Sequence, residues 1–110
     1  ITYANAAKEK LLGVKHETLE TFGAVSEETA REMAMGAAKE AGADAALSVT
    51  GIAGPGGGTP EKPVGLVYIG CYVQGEVYVK KCQFTGNRER NRDSSVVQAL
   101  TLLREKLLDC

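Results

Sequence analysis

Lys8 follows Tyr3 by five residues in TYANAAK, a spacing that lets the end of a strand and the first turns of a helix aim both side chains into one cleft. An amine there is a general base if burial holds it neutral, and otherwise an ordinary solvated charge. Arg88, Arg90 and Arg92 crowd the segment GNRERNR at the start of a predicted helix. Cations at that end oppose the helix dipole, whereas an anion held by the free N–H groups would offset them. Between these two groups lies Ser48 to Pro63, SVTGIAGPGGGTPEKP, with five of the thirteen glycines and all three prolines. Gly51, Gly54, Gly56, Gly57 and Gly58 allow main-chain N–H groups to close around a phosphate, or they make a long flexible connection. The stretch is neither a Walker loop, since no lysine follows the sixth residue of GIAGPGG, nor a complete Gly-x-Gly-x-x-Gly fingerprint.

Other polar residues read as structural. Ser48 alternates with apolar neighbours in a strand and fits a small core residue, while Ser94 and Ser95 fit a helix surface. His16, in VKHETLE, reads as a solvated surface histidine. Cys71, Cys82 and Cys110 are an odd number at wide spacing, with no Cys or His cluster that would hold a metal. Reduced thiols in a cytoplasmic protein fit that usage, and no cofactor is implied.

A chain of 110 residues, 44% hydrophobic, 25% charged and with net charge -1, has the composition of one domain with a continuous core. No run approaches a membrane span, and no basic block marks a nucleic-acid surface. Neither a membrane nor a nucleic acid is therefore expected as partner.

The elements that must position the polar groups follow from pattern. Helices are predicted over Asn5 to Leu12, closed by Gly13, and around His16 to Phe22, closed by Gly23. A third begins at the N-cap Ser26, carries Glu27 and Glu28 in its first turn and stops at Gly42. Its apolar face, Ala30, Met33, Ala34, Ala37, Ala38 and Ala41, is small enough to lie close on a sheet. Strands are predicted over Ala45 to Thr50, Val64 to Val73 and Glu76 to Phe84, the last two forming a hairpin through Gln74-Gly75. A final helix presents Val96, Leu100, Leu103 and Leu107 as a stripe toward the sheet, with Arg104, Glu105 and Lys106 in water. This order predicts a single three-layer α/β/α domain with a mixed sheet that includes a C-terminal β-hairpin, the glycine-rich loop leaving the carboxyl end of a strand.

TGIAGPGGGTPEKPVGLVYI resembles the signature of the CinA C-terminal family, whose members are nicotinamide-nucleotide amidases. TYANAAKEKLLGV, GAVSEETAREMA and FTGNRERNR resemble the family in the same order, so the likeness spans residues 1–110 as one amidohydrolase domain. The resemblance implies hydrolysis of nicotinamide mononucleotide by a Ser/Lys pair without metal or cofactor. Lys8 would be the base and Tyr3 would orient or polarise; Thr50, Gly51, Gly54, Gly56, Gly57, Gly58, Arg88 and Arg92 would bind the substrate. It also implies a dimer.

Two departures stand out. Asn87 occupies the position of an aspartate in the family, which removes a carboxylate that would fix Arg88. The family's nucleophilic serine lies in a Glu-Ser-Cys-Thr-Gly-Gly segment that these residues do not contain, so the chain is expected to be N-terminally truncated. The alternative function is a non-catalytic pyridine-nucleotide-binding or partner module, the C-terminal part of a two-domain protein. A purely structural oligomerisation domain leaves the arginines and glycines unused.

Overall fold

The computed structural model describes residues 5–52, 54 and 56–108. Tyr3 and Cys110 lie outside the described residues. Four helices and three strands follow in the order α1 (Asn5–Leu12), α2 (His16–Phe22), α3 (Glu27–Ala41), β1 (Ala45–Gly51), β2 (Leu66–Val73), β3 (Glu76–Gln83) and α4 (Arg88–Leu108). The α/β class is the expected one, and none of the described helices is long and apolar enough to cross a membrane.

The sheet runs β1-β2-β3 and is antiparallel throughout the described residues, which corrects the mixed sheet expected from the sequence. The reason is topological. Parallel neighbours need a crossover, usually a helix, between consecutive strands. Here the helices precede and follow the strands, and only the glycine-rich loop and a two-residue turn connect them. That turn, Gln74-Gly75, has positive φ at both residues, 48° and 87°, matching the twist of the hairpin.

Each face of the sheet is covered by one helix. Val67, Ile69, Cys71 and Val73 of β2 face α4 and form the main core with Cys82, Ala99 and Leu102. Ile69 alone, fully buried, contributes about 1.5–3 kcal/mol. Burial raises the thiol pKa of both Cys71 and Cys82, so these cysteines are structural. On the opposite face Gly70 lets α3 approach: a Cβ there would strike the Ala30 carbonyl and the Ser48 hydroxyl. Ser48 Oγ donates to Ala30 O at 2.7 Å, so this serine is the small core residue the alternation predicted.

Ser26 caps α3 by accepting from Thr29 N at 3.2 Å, and Gly42 closes it in the left-handed region. Ala30, Met33, Ala34 and Ala38 are buried as expected, but Ala41 is exposed in the last turn. α1 lies against α3 where Gly36 leaves no room for a side chain beside the Leu12 carbonyl. Leu12, Val14 and Met33 form a second, smaller core there.

α4 differs most from expectation. Its buried seam is Asn91, Ser95, Ala99 and Leu102, while Val96, Leu100 and Leu107 are exposed and only Leu103 is partly covered. The side chain of Asn91 accepts from Gly86 N at 3.1 Å, and Ser95 Oγ donates to Asn91 O at 2.7 Å. Those bonds turn the small residues inward and allow close packing, which rotates the larger apolar stripe to one side. Ser95 is thus buried rather than on the surface. Lys106 lies over the Tyr78 ring, 4.4 Å from its centroid, instead of facing water alone.

His16 is exposed, as expected, yet engaged on both sides. Its Nδ1 is 2.6 Å from the Glu9 carboxylate of α1 and its Nε2 is 2.8 Å from that of Glu20 in α2. Both nitrogens donate only in the imidazolium, and the hydrogen bond to Glu9, then that to Glu20, raise the pKa. From the other side, Glu32 of α3 holds the start of α2, accepting from Lys15 N at 2.8 Å and Thr18 Oγ1 at 2.7 Å.

Two outcomes follow. Gly70→Ala should lower stability in urea unfolding by about 1–3 kcal/mol through overpacking between α3 and the sheet. The His16 contribution is complete below the ordinary imidazole value of about 6.5 and is lost as pH rises through the raised folded value. Urea midpoints compared across that range should therefore fall more for this chain than for His16→Gln.

Candidate functional site

The glycine-rich loop is tied down rather than free. At its start Thr50, buried at the end of β1, donates its hydroxyl to Ala24 O at 2.6 Å, a strut to the segment before α3. Gly51 faces Val67, and a Cβ there would press on the Leu66 carbonyl. Ile52 continues the pairing by donating its N–H to Leu66 O at 3.0 Å. Further on, Thr59 N donates to Lys62 O at 2.9 Å, and Lys62 N to Thr59 Oγ1 at 3.0 Å, closing a turn. The Lys62 amine then donates to the carbonyl of Phe22 at the end of α2. These bonds decide against a merely flexible connection.

Arg88 makes the decisive tie. Its guanidinium donates to Gly54 O at 3.1 Å, joining the first residue of α4 to the buried part of the loop. Arg88 remains an exposed residue, and this bond uses one of its five donors, leaving the group able to hold an anion as well. Arg92 is exposed four residues on, on the same side of the helix. Gly56, Gly57 and Gly58 are exposed between the tethers, with Gly57 at a φ of 91° that only glycine adopts readily. Arg88 therefore meets the loop, and Arg92 lies one turn further along the same side of α4.

Asn87 explains how Arg88 is placed without a carboxylate at residue 87. Its side chain caps α4, accepting from Arg90 N at 2.9 Å, while the Gly54 carbonyl takes the guanidinium. Asn91, 1% exposed, orders the turn just before the helix through Gly86. The sequence offered one signal for it, a polar residue four positions after the cap in a helix whose next inward positions are small.

Lys8 is positioned by other means. It lies in α1, only 9% exposed, and burial lowers its pKa from the ordinary lysine value. The packing of α1 on α3 at Gly36 sets this placement, so the lysine reads as the buried amine and not as a solvated charge. Tyr3, its expected companion, lies outside the described residues.

Two concavities among the described residues lie elsewhere. One, of about 460 Å³, is bounded by Phe22, Glu28, Lys62 and Lys81; the other, of about 670 Å³, by Leu12, Glu32, Met35 and Tyr72. Neither is lined by Lys8, Arg88 or Arg92. Both are open surface hollows, and the convergence of Arg88 on the loop is the better guide to chemistry.

Residues 1–107 match the CinA C-terminal domain family. A CinA-like protein of Kosmotoga olearia is 62% identical over 108 residues, which are 98% of this chain and 26% of that protein. A putative competence-damage inducible protein of Alkaliphilus metalliredigens is 57% identical over the same shares. The chain thus spans about a quarter of the length of the curated relatives it matches. Among solved structures, the competence/damage inducible protein CihA from Agrobacterium tumefaciens is 47% identical with a TM-score of 0.91, over 94% of this chain and 64% of that one. A CinA superfamily protein from Klebsiella pneumoniae is 37% identical with a TM-score of 0.93, over 99% of this chain and 68% of its own. With this family match, the same fold and this identity along its length, the chain belongs to the CinA C-terminal domain family.

Proposed function

We propose that the chain supplies the base and the substrate-binding groups of a nicotinamide-nucleotide amidase, which hydrolyses the carboxamide of nicotinamide mononucleotide to nicotinic acid mononucleotide and ammonia. The observation that carries this reading is Lys8, buried in α1 with its pKa lowered by desolvation. A neutral amine can take the proton of a serine hydroxyl as that oxygen attacks the amide carbon, and return it to the departing ammonia. Water then cleaves the acyl-serine, with the same amine as base. Arg88, Arg92 and the exposed glycines hold the substrate phosphate at the start of α4. The serine is that of the Glu-Ser-Cys-Thr-Gly-Gly segment, which these 110 residues do not contain.

One observation favours a second reading, a nucleotide-binding or partner module. The hydroxyls of Ser26, Ser48 and Ser95 each donate to a backbone carbonyl inside the fold, so none is poised for attack. We place either activity in the cytoplasm, in a dimer, with a small nucleotide as the partner molecule.

Ammonia release from nicotinamide mononucleotide decides between them. The chain joined to an upstream segment bearing the serine motif should turn over, the 110 residues alone should not, and Lys8→Met in the joined form should lose about 10²–10⁴-fold in rate. Undiminished turnover by Lys8→Met contradicts the assignment of the base. The loop has its own test. Gly56 has no described neighbour within 4 Å of an added Cβ, so Gly56→Ala should weaken nucleotide binding in calorimetry while leaving the urea midpoint unchanged. Gly57→Val, at its positive φ, should lower binding and also cost about 1–3 kcal/mol of stability.

A further inference from the structure

α2 is capped from outside. Its N-cap is Lys15, whose side chain makes no capping bond, and at 7 residues the helix is shorter than the ~12–15 that hold together without tertiary support. In a capping box the long side chain at the third helical position, Glu or Gln, reaches back to the N–H of the N-cap. Thr18 stands at that position and is too short to do so. Its hydroxyl donates instead to one oxygen of Glu32 in α3 at 2.7 Å, while the other oxygen accepts from Lys15 N at 2.8 Å. The box is completed by a carboxylate of another helix, over a threonine only 7% exposed.

The capped end of α2 leads directly back to α1. Gly13 turns the chain out of α1 at a φ of 70°, Val14 N then donates to Lys8 O at 3.1 Å, and the next N–H, that of Lys15, is the one Glu32 accepts. Val14 is buried with Leu12 against Met33, the neighbour of Glu32 in α3. The connection is thus pinned to α3 on one side and to the main chain of Lys8 on the other. Among the described residues its outer side borders the open hollow of about 670 Å³ that Leu12, Gly13, Lys15 and Glu32 line, so hydrogen bonds rather than packing hold it there. His16 also ties α1 to α2, through Glu9 and Glu20, but on the exposed surface, where such pairs contribute little.

We propose that Glu32 and Thr18 are positioning residues for Lys8: their shared cap sets how the α1–α2 connection lies on α3, and the connection sets the depth of the lysine. A part in catalysis follows only through the amidase reading, on which it rests, whereas the depth of Lys8 is measurable without turnover.

The test follows the Lys8 Cε resonance with pH by NMR in variants of the 110-residue chain, with urea unfolding of each. Thr18→Val, isosteric but without the hydroxyl, should move the titration up toward the ordinary lysine value as water reaches the ammonium, and Thr18→Ser, which keeps the hydroxyl, should leave it low. Glu32→Asp retains the charge but is one methylene short of closing both bonds. It should raise the titration as Thr18→Val does, and it replaces that variant if Thr18→Val does not fold. His16→Gln should leave the titration in place. In the form joined to the serine segment, Thr18→Val should lose about 10–10²-fold in kcat, and Thr18→Ser should keep most of the rate. An unmoved titration in Thr18→Val and Glu32→Asp, with lowered urea midpoints, makes the cap merely structural and overturns the proposal, as does an equal rise in His16→Gln. If the titration moves as expected while the unsubstituted joined form does not turn over, the positioning role stands and the amidase reading falls.

Discussion

The close seat of α3 between the sheet and α1 is the constraint on which the other features depend. On one side Gly70 and the bond from Ser48 to the Ala30 carbonyl bring the helix backbone down onto β2. On the other, Gly36 admits the Leu12 carbonyl of α1. A helix faced with alanines and threonine makes both approaches possible, because each large side chain at such a contact would widen it. The depth at which α1 lies then fixes the burial of Lys8, and burial fixes its proton affinity. A packing decision made by two glycines thus reaches an amine in a third element.

The proposed binding side of the site is built from the other end of the same frame. The loop between β1 and β2 leaves a buried strand end, is held to α2 through Lys62 and to α4 through Arg88, and exposes its glycines between those ties. Asn87 and Asn91 set the start of α4 without consuming the arginine. The proposed base and the proposed binding groups therefore sit on separately braced elements. Rigid supports of this sort hold a reacting group at a fixed distance from a bound substrate, which is where much of an enzyme's advantage over solution chemistry arises.

Most of the fold was legible because its signals are local. Ser26, Gly42, Gly13 and Gly23 mark helix ends through their own backbone preferences, and Gln74-Gly75 marks a hairpin. What failed was orientation. The spacing of Val96, Leu100, Leu103 and Leu107 truly describes one face of a helix, but periodicity alone cannot say which of two apolar faces meets the sheet. Asn91 and Ser95 decided that through buried hydrogen bonds, and polar residues carry no apolar signal. The parallel pairing expected in the sheet failed for a related reason, since strand direction depends on connections rather than on the strands themselves. For the site, the convergence of Arg88 with the loop was visible as motif, whereas its actual partner, a main-chain carbonyl of Gly54, has no side chain to announce it.

The most direct measurement of the buried amine is an NMR titration of the Lys8 side chain, following its Cε resonance with pH and assigning it by Lys8→Met. Titration is expected clearly below the ordinary lysine value of about 10.4, because the buried ammonium is short of water. Titration at the ordinary value would contradict it, and would leave the amine a structural charge with no capacity to activate a hydroxyl near neutral pH.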